Sequence, residues 1–273
     1  MTRRILLHVG SPKCGSTYLQ QVMRQNGESL AAAGVCYPEP EGGHPGNAGA
    51  LADVDAARVE SWFSAGIDTV VLSHEDLFSM AKKGDALHAI TARERISVQV
   101  IMFLRPFSEF MFGDYSQFMK QHFESYLSKR EPYGGMSFRD FTERRARTMK
   151  PAAYARNWNV RFDQNRIILA GHREIRRVIE GLIGPQAVAN WEVHPTLTNP
   201  SLRMEDCDRI AAAMRDREIP DEAIRDMLRA AYRQTADADA GKTAERVAFA
   251  EAQFAAQNEL LLSEFGFDNR RAS

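Results

Sequence analysis

The sequence predicts an α/β fold built on a mostly parallel sheet with helices on both faces. Three observations lead there. Short apolar runs rich in β-branched residues recur at 5–9, 68–73, 95–104 and 166–170. The segments between them have helical period and enough length for the crossovers that parallel strands require. The last third of the chain carries helical periodicity only, which predicts a helical extension, about 204–268, packed on one domain spanning 1–273.

Composition sets outer bounds. With 273 residues, 44% of them hydrophobic and 26% charged, the chain can bury a substantial core. A net charge of -1 offers no global basic field for nucleic acid. No apolar run approaches the roughly 18–20 residues that a membrane span needs. The apolar run at 5–9 is too short for a signal peptide and reads as the first strand. The three cysteines (Cys14, Cys36, Cys207) are odd in number and far apart, which suits a reducing cytoplasm and neither a disulfide framework nor a zinc site.

Each element has its reason. Residues 5–9 are apolar with β-branched ends, as a buried strand requires. Gly10, Ser11 and Pro12 break the run, and from Gly15 onward Leu19, Val22, Met23 and Leu30 take helical spacing. A strand, small-residue loop and helix in this order aim backbone N–H groups at one spot beside the positive end of the helix, a place for a phosphate-like anion. Gly10 and Gly15 are spaced as the glycines of a Walker A loop, and Thr17 holds that motif's Ser/Thr position. Ser16 stands where its lysine belongs, and the lysine here is Lys13, inside the loop. The helix is expected over 15–33, ended by Gly34. Residues 35–38 read as an edge strand, because Pro38 cannot donate to a ladder. The Pro/Gly-rich stretch 38–49 reads as a long functional or mobile loop with His44 as a candidate on the substrate side, and 50–65 as a helix.

The second core strand, 68–73, ends in Ser73-His74-Glu75-Asp76. Ligands of open α/β sheets sit at the carboxyl ends of strands. His74 and Glu75 therefore fall near the first loop if the two strands are neighbours, and either is a candidate general base, Glu75 being preferred. The same residues also suit a helix start, with Ser73 or Asp76 as cap. The strongest strand, 95–104, runs into Arg105-Pro106 and a helix to about 127; an arginine at a strand end can grip a phosphate with two hydrogen bonds. Residues 128–136 read as a candidate lid, and Ser137 as the cap of the next helix. On that helix Arg144, Arg145, Arg147 and Lys150 form either a solvated basic face or a contact for an anionic acceptor. A helix at 154–162 places Trp158 in the core. The strand 166–170 is followed by His172, a third candidate base, and a helix at 174–183. Ser201 is expected to cap a helix at 204–216. Helices follow at 221–234 and 243–265, the last with Val247, Phe249, Phe254, Leu260, Leu261 and Phe265 on its apolar face, before Gly266 and a loose tail.

Residues 12–20, Pro-Lys-Cys-Gly-Ser-Thr-Tyr-Leu-Gln, resemble the 5′-phosphosulfate loop of sulfotransferases that use 3′-phosphoadenosine 5′-phosphosulfate (PAPS). Residues 104–117 resemble that family's 3′-phosphate element. Arg105 matches its arginine, but Gly113 stands where the family usually has a serine; Ser116 and Ser108 are the nearby hydroxyls. Asn199-Pro-Ser-Leu-Arg resembles a late loop that closes over the nucleotide in bacterial members, which adds Asn199, Ser201 and Arg203 as candidate contacts. The resemblance implies a P-loop NTPase-like sulfotransferase fold and sulfuryl transfer from PAPS to a hydroxyl or amine of a small-molecule or saccharide acceptor. It implies Lys13 at the bridging oxygen and the backbone of Cys14, Gly15, Ser16 and Thr17, with the last two hydroxyls, on the 5′-phosphate. It further implies Tyr18 on the adenine, Arg105 on the 3′-phosphate and His74 or Glu75 as proton acceptor, with no metal. Two other classes fit the strand–loop–helix unit. A Mg²⁺-dependent small-molecule kinase is opposed by Ser16, and a non-catalytic nucleotide-binding protein is kept open by Gly113.

Overall fold

The computed structural model describes residues 2–64, 66–162, 167–194 and 197–271. Arg166 of the fourth expected strand, Ala65, Pro195, Thr196 and the last two residues of the tail lie outside the described residues. The chain forms two compact units. One comprises Met1–Arg105, Pro151–Asn199 and Asn258–Ser273; the other comprises Pro106–Lys150 and Pro200–Gln257.

In chain order the first unit opens with β1 (Arg4–His8), α1 (Ser16–Gln25), α2 (Gly27–Ala32) and β2 (Val35–Cys36). It continues with α3 (Ala56–Trp62), β3 (Thr69–Ser73), α4 (Asp85–Glu94) and β4 (Ser97–Leu104). α5 (Phe107–Lys129) and α6 (Phe138–Thr148) belong to the second unit, while α7 (Pro151–Arg161), β5 (Ile167–Gly171) and α8 (Ile175–Ile183) return to the first. α9 (Met204–Arg215), α10 (Asp221–Arg233) and α11 (Ala244–Gln253) lie in the second, and α12 (Ala255–Phe265) runs from the second into the first.

The first unit is organised by a five-stranded sheet in the order β2-β3-β1-β4-β5, with every pairing parallel. This bears out the α/β expectation, and β2 sits at the edge as Pro38 requires. Ile5, Leu6 and Leu7 of central β1 have no exposed surface, and β4 is buried from Val100 to Leu104. A parallel strand covered on both faces reads as a continuous apolar run, which is the pattern these two strands carry. Trp158 on α7 is fully buried, and its indole N–H donates to the Leu77 carbonyl at 2.9 Å. In the second unit α5 packs with α6, α9 and α11.

Several helix boundaries differ from expectation, each for a local reason. The helix expected over 15–33 breaks at Asn26. That side chain donates to the carbonyls of Val22 and Asn190 and accepts from Asn190 N–H, so it competes with continuation of the helix. The helix expected over 50–65 shortens to α3, because Asp55 caps it by accepting from Arg58 N–H at 2.7 Å. The helix expected over 243–265 breaks at Phe254, whose fully buried ring stacks on Phe107 at 4.5 Å. Val247 and Leu260, expected on its apolar face, are exposed. Ser201 is not the cap of α9. Arg203 holds that position, and the Asp239 carboxylate accepts from Met204 and Glu205 N–H instead. The expected lid at 128–136 is a packed turn: Tyr133 is buried and stacks on Tyr115 at 3.7 Å.

Candidate functional site

Because all five strands are parallel, their carboxyl ends share one edge. β1 leads to β2 on one side of the sheet and β4 leads to β5 on the other. The chain's direction therefore switches between β1 and β4, which is where open α/β sheets place ligands. The loop after β1 turns sharply there. Lys13 (φ 62) and Gly15 (φ 88) both take the left-handed conformation. A side chain at Gly10 would meet the Ser16 hydroxyl at 2.2 Å and His8 Cε1 at 3.0 Å, so anything larger than glycine displaces side chains of β1 and the first turn of α1. No side chain caps α1 and no acidic residue lies in its first turn, which leaves its leading N–H groups to an external anion.

Arg105 follows β4 at the same edge. Its guanidinium and backbone both act on the Cys14 thiol inside the loop, favouring the thiolate. Burial pushes that thiol up, so Cys14 stays protonated and inert against the partial compensation from Arg105. The Arg105 Nε is buried with no acceptor among the described residues.

Beside the loop, β1 and β3 pair in register His8↔Ser73, which makes the two strands neighbours as the sequence argument required. Buried Gln20 of α1 reaches across to this point. Its amide donates to Ser73 Oγ at 3.2 Å and to Glu75 Oε2 at 3.1 Å. Ser73 Oγ in turn meets His8 Nδ1 at 2.8 Å. The other Glu75 oxygen, Oε1, lies 3.0 Å from His44 Nε2, and the His44 ring stacks on His74 with centroids 4.6 Å apart.

These contacts fix the protons. His44 Nδ1 accepts from Gly46 N–H at 3.0 Å, so the neutral ring carries its proton on Nε2 and donates it to Glu75. His74 Nδ1 accepts from Asp76 N–H at 3.2 Å, so its Nε2 is likewise a donor. Burial holds His74 below the ordinary imidazole value, against the pull of Glu75. Burial pushes the Glu75 carboxyl up, but hydrogen bonds from Gln20 and its own backbone, with His44 beside it, leave it below the usual carboxylate range. Of the two candidate bases, Glu75 has free lone pairs and His74 does not.

His8 has a consequence for stability. Burial lowers it to about 4 from 6.5. Below 6.5 the unfolded chain takes up a proton that the folded chain refuses until about 4, so stability falls with pH across that window. The loss between pH 7 and pH 5 is expected to be roughly 2 kcal/mol. Denaturant melts at the two pH values check this; a His8→Asn variant that loses as much stability as the wild type would exclude His8 as the cause.

Tyr18 lies one turn into α1. Its hydroxyl donates to the Trp191 carbonyl at 2.9 Å and its ring stacks on Trp191, with Arg176 over the indole at 5.7 Å. The loop 38–49 is pinned to β3 by Asn47, which accepts from Ser73 N–H and donates to the carbonyls of Val71 and Pro38. Together with α3 it encloses a cavity of about 440 Å³ that reaches His44 and His74. His172 sits past the end of β5, two strands from β1. Asn199 is exposed at the end of a first-unit segment.

The remaining candidates belong to the second unit. Gly113 is buried within α5. Ser116 is fully buried and its Oγ accepts from Leu202 N–H at 2.7 Å, beside half-buried Ser201. Ser108 N–H donates to Glu251 at 2.7 Å. Arg203 is engaged with Asp206, Glu205 and Gln234. The basic run on α6 divides: Arg145 pairs with buried Asp114 at 2.6 Å, while Arg144 and Arg147 are exposed.

Gln20, Ser73, His8 and Trp62 complete the site without having been singled out as candidates. Gln20 had a signal, since it lies four residues after Ser16 on the same face of α1. No protein-family model matches the chain, and no curated protein matches it.

Proposed function

We propose that this chain transfers the sulfuryl group of PAPS to a hydroxyl or amine of a small-molecule or saccharide acceptor. The observation that carries the reading is the convergence at the β1/β4 switch point of an uncapped helix N-terminus, a left-handed lysine and an arginine with an orphaned buried Nε. Such donors suit a ligand with two separated anionic groups. The strand order and the loop after the central strand suit the P-loop NTPase-like sulfotransferase fold.

In the reaction the acceptor oxygen or nitrogen attacks sulfur, the bond from sulfur to the bridging oxygen breaks, and 3′-phosphoadenosine 5′-phosphate departs with the electron pair. Catalysis is mainly positioning and charge stabilisation, as in phosphoryl transfer. The leading N–H groups of α1 hold the 5′-phosphate, Lys13 neutralises the departing oxygen, Arg105 takes the 3′-phosphate and Glu75 takes the acceptor's proton. Tyr18 with Trp191 offers aromatic surface to the adenine.

Calorimetric and thermal-shift titration with 3′-phosphoadenosine 5′-phosphate, 5′-AMP, ATP and ATP with Mg²⁺ tests the reading. The 3′-phosphorylated nucleotide is expected to raise Tm without metal and AMP to raise it less. Arg105→Ala is expected to weaken the former about 10–100-fold and AMP little, the range for hydrogen bonds to a charged group. Stabilisation by ATP with Mg²⁺ alone selects a kinase. Equal binding of the two adenosine nucleotides removes Arg105 from the donor site.

A further inference from the structure

The cavity beside His44 and His74 has a charge pattern that chooses among acceptors. Leu51, Val54, Trp62 and Leu72 form its apolar wall. Its charged side chains are Glu41, Asp53, Asp55 and Arg58, three carboxylates against one guanidinium. Arg58 is already bound to Glu41 at 2.8 Å, and Asp55 accepts from Arg58 N–H as the cap of α3. Asp53 has no ion-pair partner among the described residues. The cavity therefore has an unbalanced negative rim.

A second observation points to an occupant. Trp62 is only 8% exposed, and its indole N–H has no acceptor among the described residues. A buried orphan donor costs about 1–3 kcal/mol unless something supplies an acceptor. A volume of about 440 Å³ suits a small ring compound. The Nε2 of His74 points a proton donor at the same region, near Gly49.

We propose that this cavity is the acceptor site and that it takes small uncharged or cationic ring alcohols, phenols or amines while rejecting anionic ones. The proposal rests on the sulfuryl-transfer reading for its reaction but not for its binding. An apolar ring face lies on the Leu51–Trp62 wall, and an ammonium on the acceptor meets Asp53. An acceptor carboxylate meets the same field with the opposite sign.

The test separates binding from chemistry. Calorimetry on the full chain, with and without 3′-phosphoadenosine 5′-phosphate, is run with two charge-matched series: tyramine, tyrosol and 4-hydroxyphenylacetate, and glucosamine, glucose and glucuronate. The expected order is cationic, then neutral, then anionic, with up to about fivefold between the ends, the scale of an exposed ion pair. Asp53→Asn is expected to flatten that order and leave the neutral members unchanged, while Trp62→Phe, which keeps the wall but removes the N–H, weakens all members of the better series alike. Binding in the expected order without transfer from PAPS overturns the reaction and leaves the cavity standing as a binding site for these rings. Preference for the anionic members, no binding in either series, or an order that survives Asp53→Asn overturns the site.

Discussion

On the sulfuryl-transfer reading, Lys13→Gly is expected to leave the protein at least as stable as the wild type and to cut transfer about 10²–10³-fold, the cost of deleting one preorganised charge-stabilising donor. Four non-glycine residues have positive φ among those described: Lys13, Arg95, Arg130 and Tyr133. Arg95 and Arg130 occupy the C-caps of α4 and α5, where a left-handed residue closes the helix end. Tyr133 lies in a tight turn with its ring locked in the core. Lys13 has no helix end to close. It sits between a proline and a buried cysteine, in a loop where glycine would take the same conformation about 1 kcal/mol more easily. Strain retained at a loop facing the sheet's ligand edge is the kind that serves a site. A lysine there for stability alone gives the opposite result: the glycine variant melts lower and turnover follows the folded fraction. Denaturant melts beside single-turnover rates with PAPS decide between the two.

The parts of this architecture that local chemistry specifies could be read from residues alone. β1 and β4 are apolar throughout because both faces are covered, and Gly10 and Gly15 mark the turn because clearance at the one and backbone angle at the other favour glycine, whereas the left-handed backbone at Lys13 was not readable. The helix breaks at Asn26 and Phe254 were not readable, because each depends on a partner distant in sequence: Asn190 for one and Phe107 for the other. The cap of α9 moved from Ser201 to Asp239 for the same reason, since a carboxylate from another turn displaced the local hydroxyl. The pair His74 and Glu75 was legible as a strand end, with Glu75 preferred, but the contacts that bear on the preference were not. The preference turns on Gly46 and Asp76 donating to the two imidazoles and on Gln20 arriving from α1, contacts that no spacing rule encodes.

Glu75→Gln is expected to lower kcat by about 10²–10⁴-fold, the usual share of a positioned general base. The depressed acidity of Glu75 at first argues against that role, since a carboxylate held below its ordinary range is a weak base at neutral pH. On the sulfuryl-transfer reading, the donor alters the balance. A polyanion seated on the α1 N-terminus brings several negative charges near Glu75, and like charges favour its protonated form. The carboxyl therefore gains basicity when the donor is bound. The acid limb of kcat/KM, which reports the free protein, is expected at lower pH than the acid limb of kcat, which reports the bound complex. Gln20→Ala sharpens the test. Gln20 donates to the charged form of Glu75, so its loss raises the carboxyl and moves the kcat/KM limb toward higher pH. A purely structural Gln20 lowers both rates without moving either limb. If Glu75→Gln retains turnover while His74→Ala abolishes it, the proton leaves through the imidazole, and the Asp76 N–H bond that fixes its tautomer must open during the reaction.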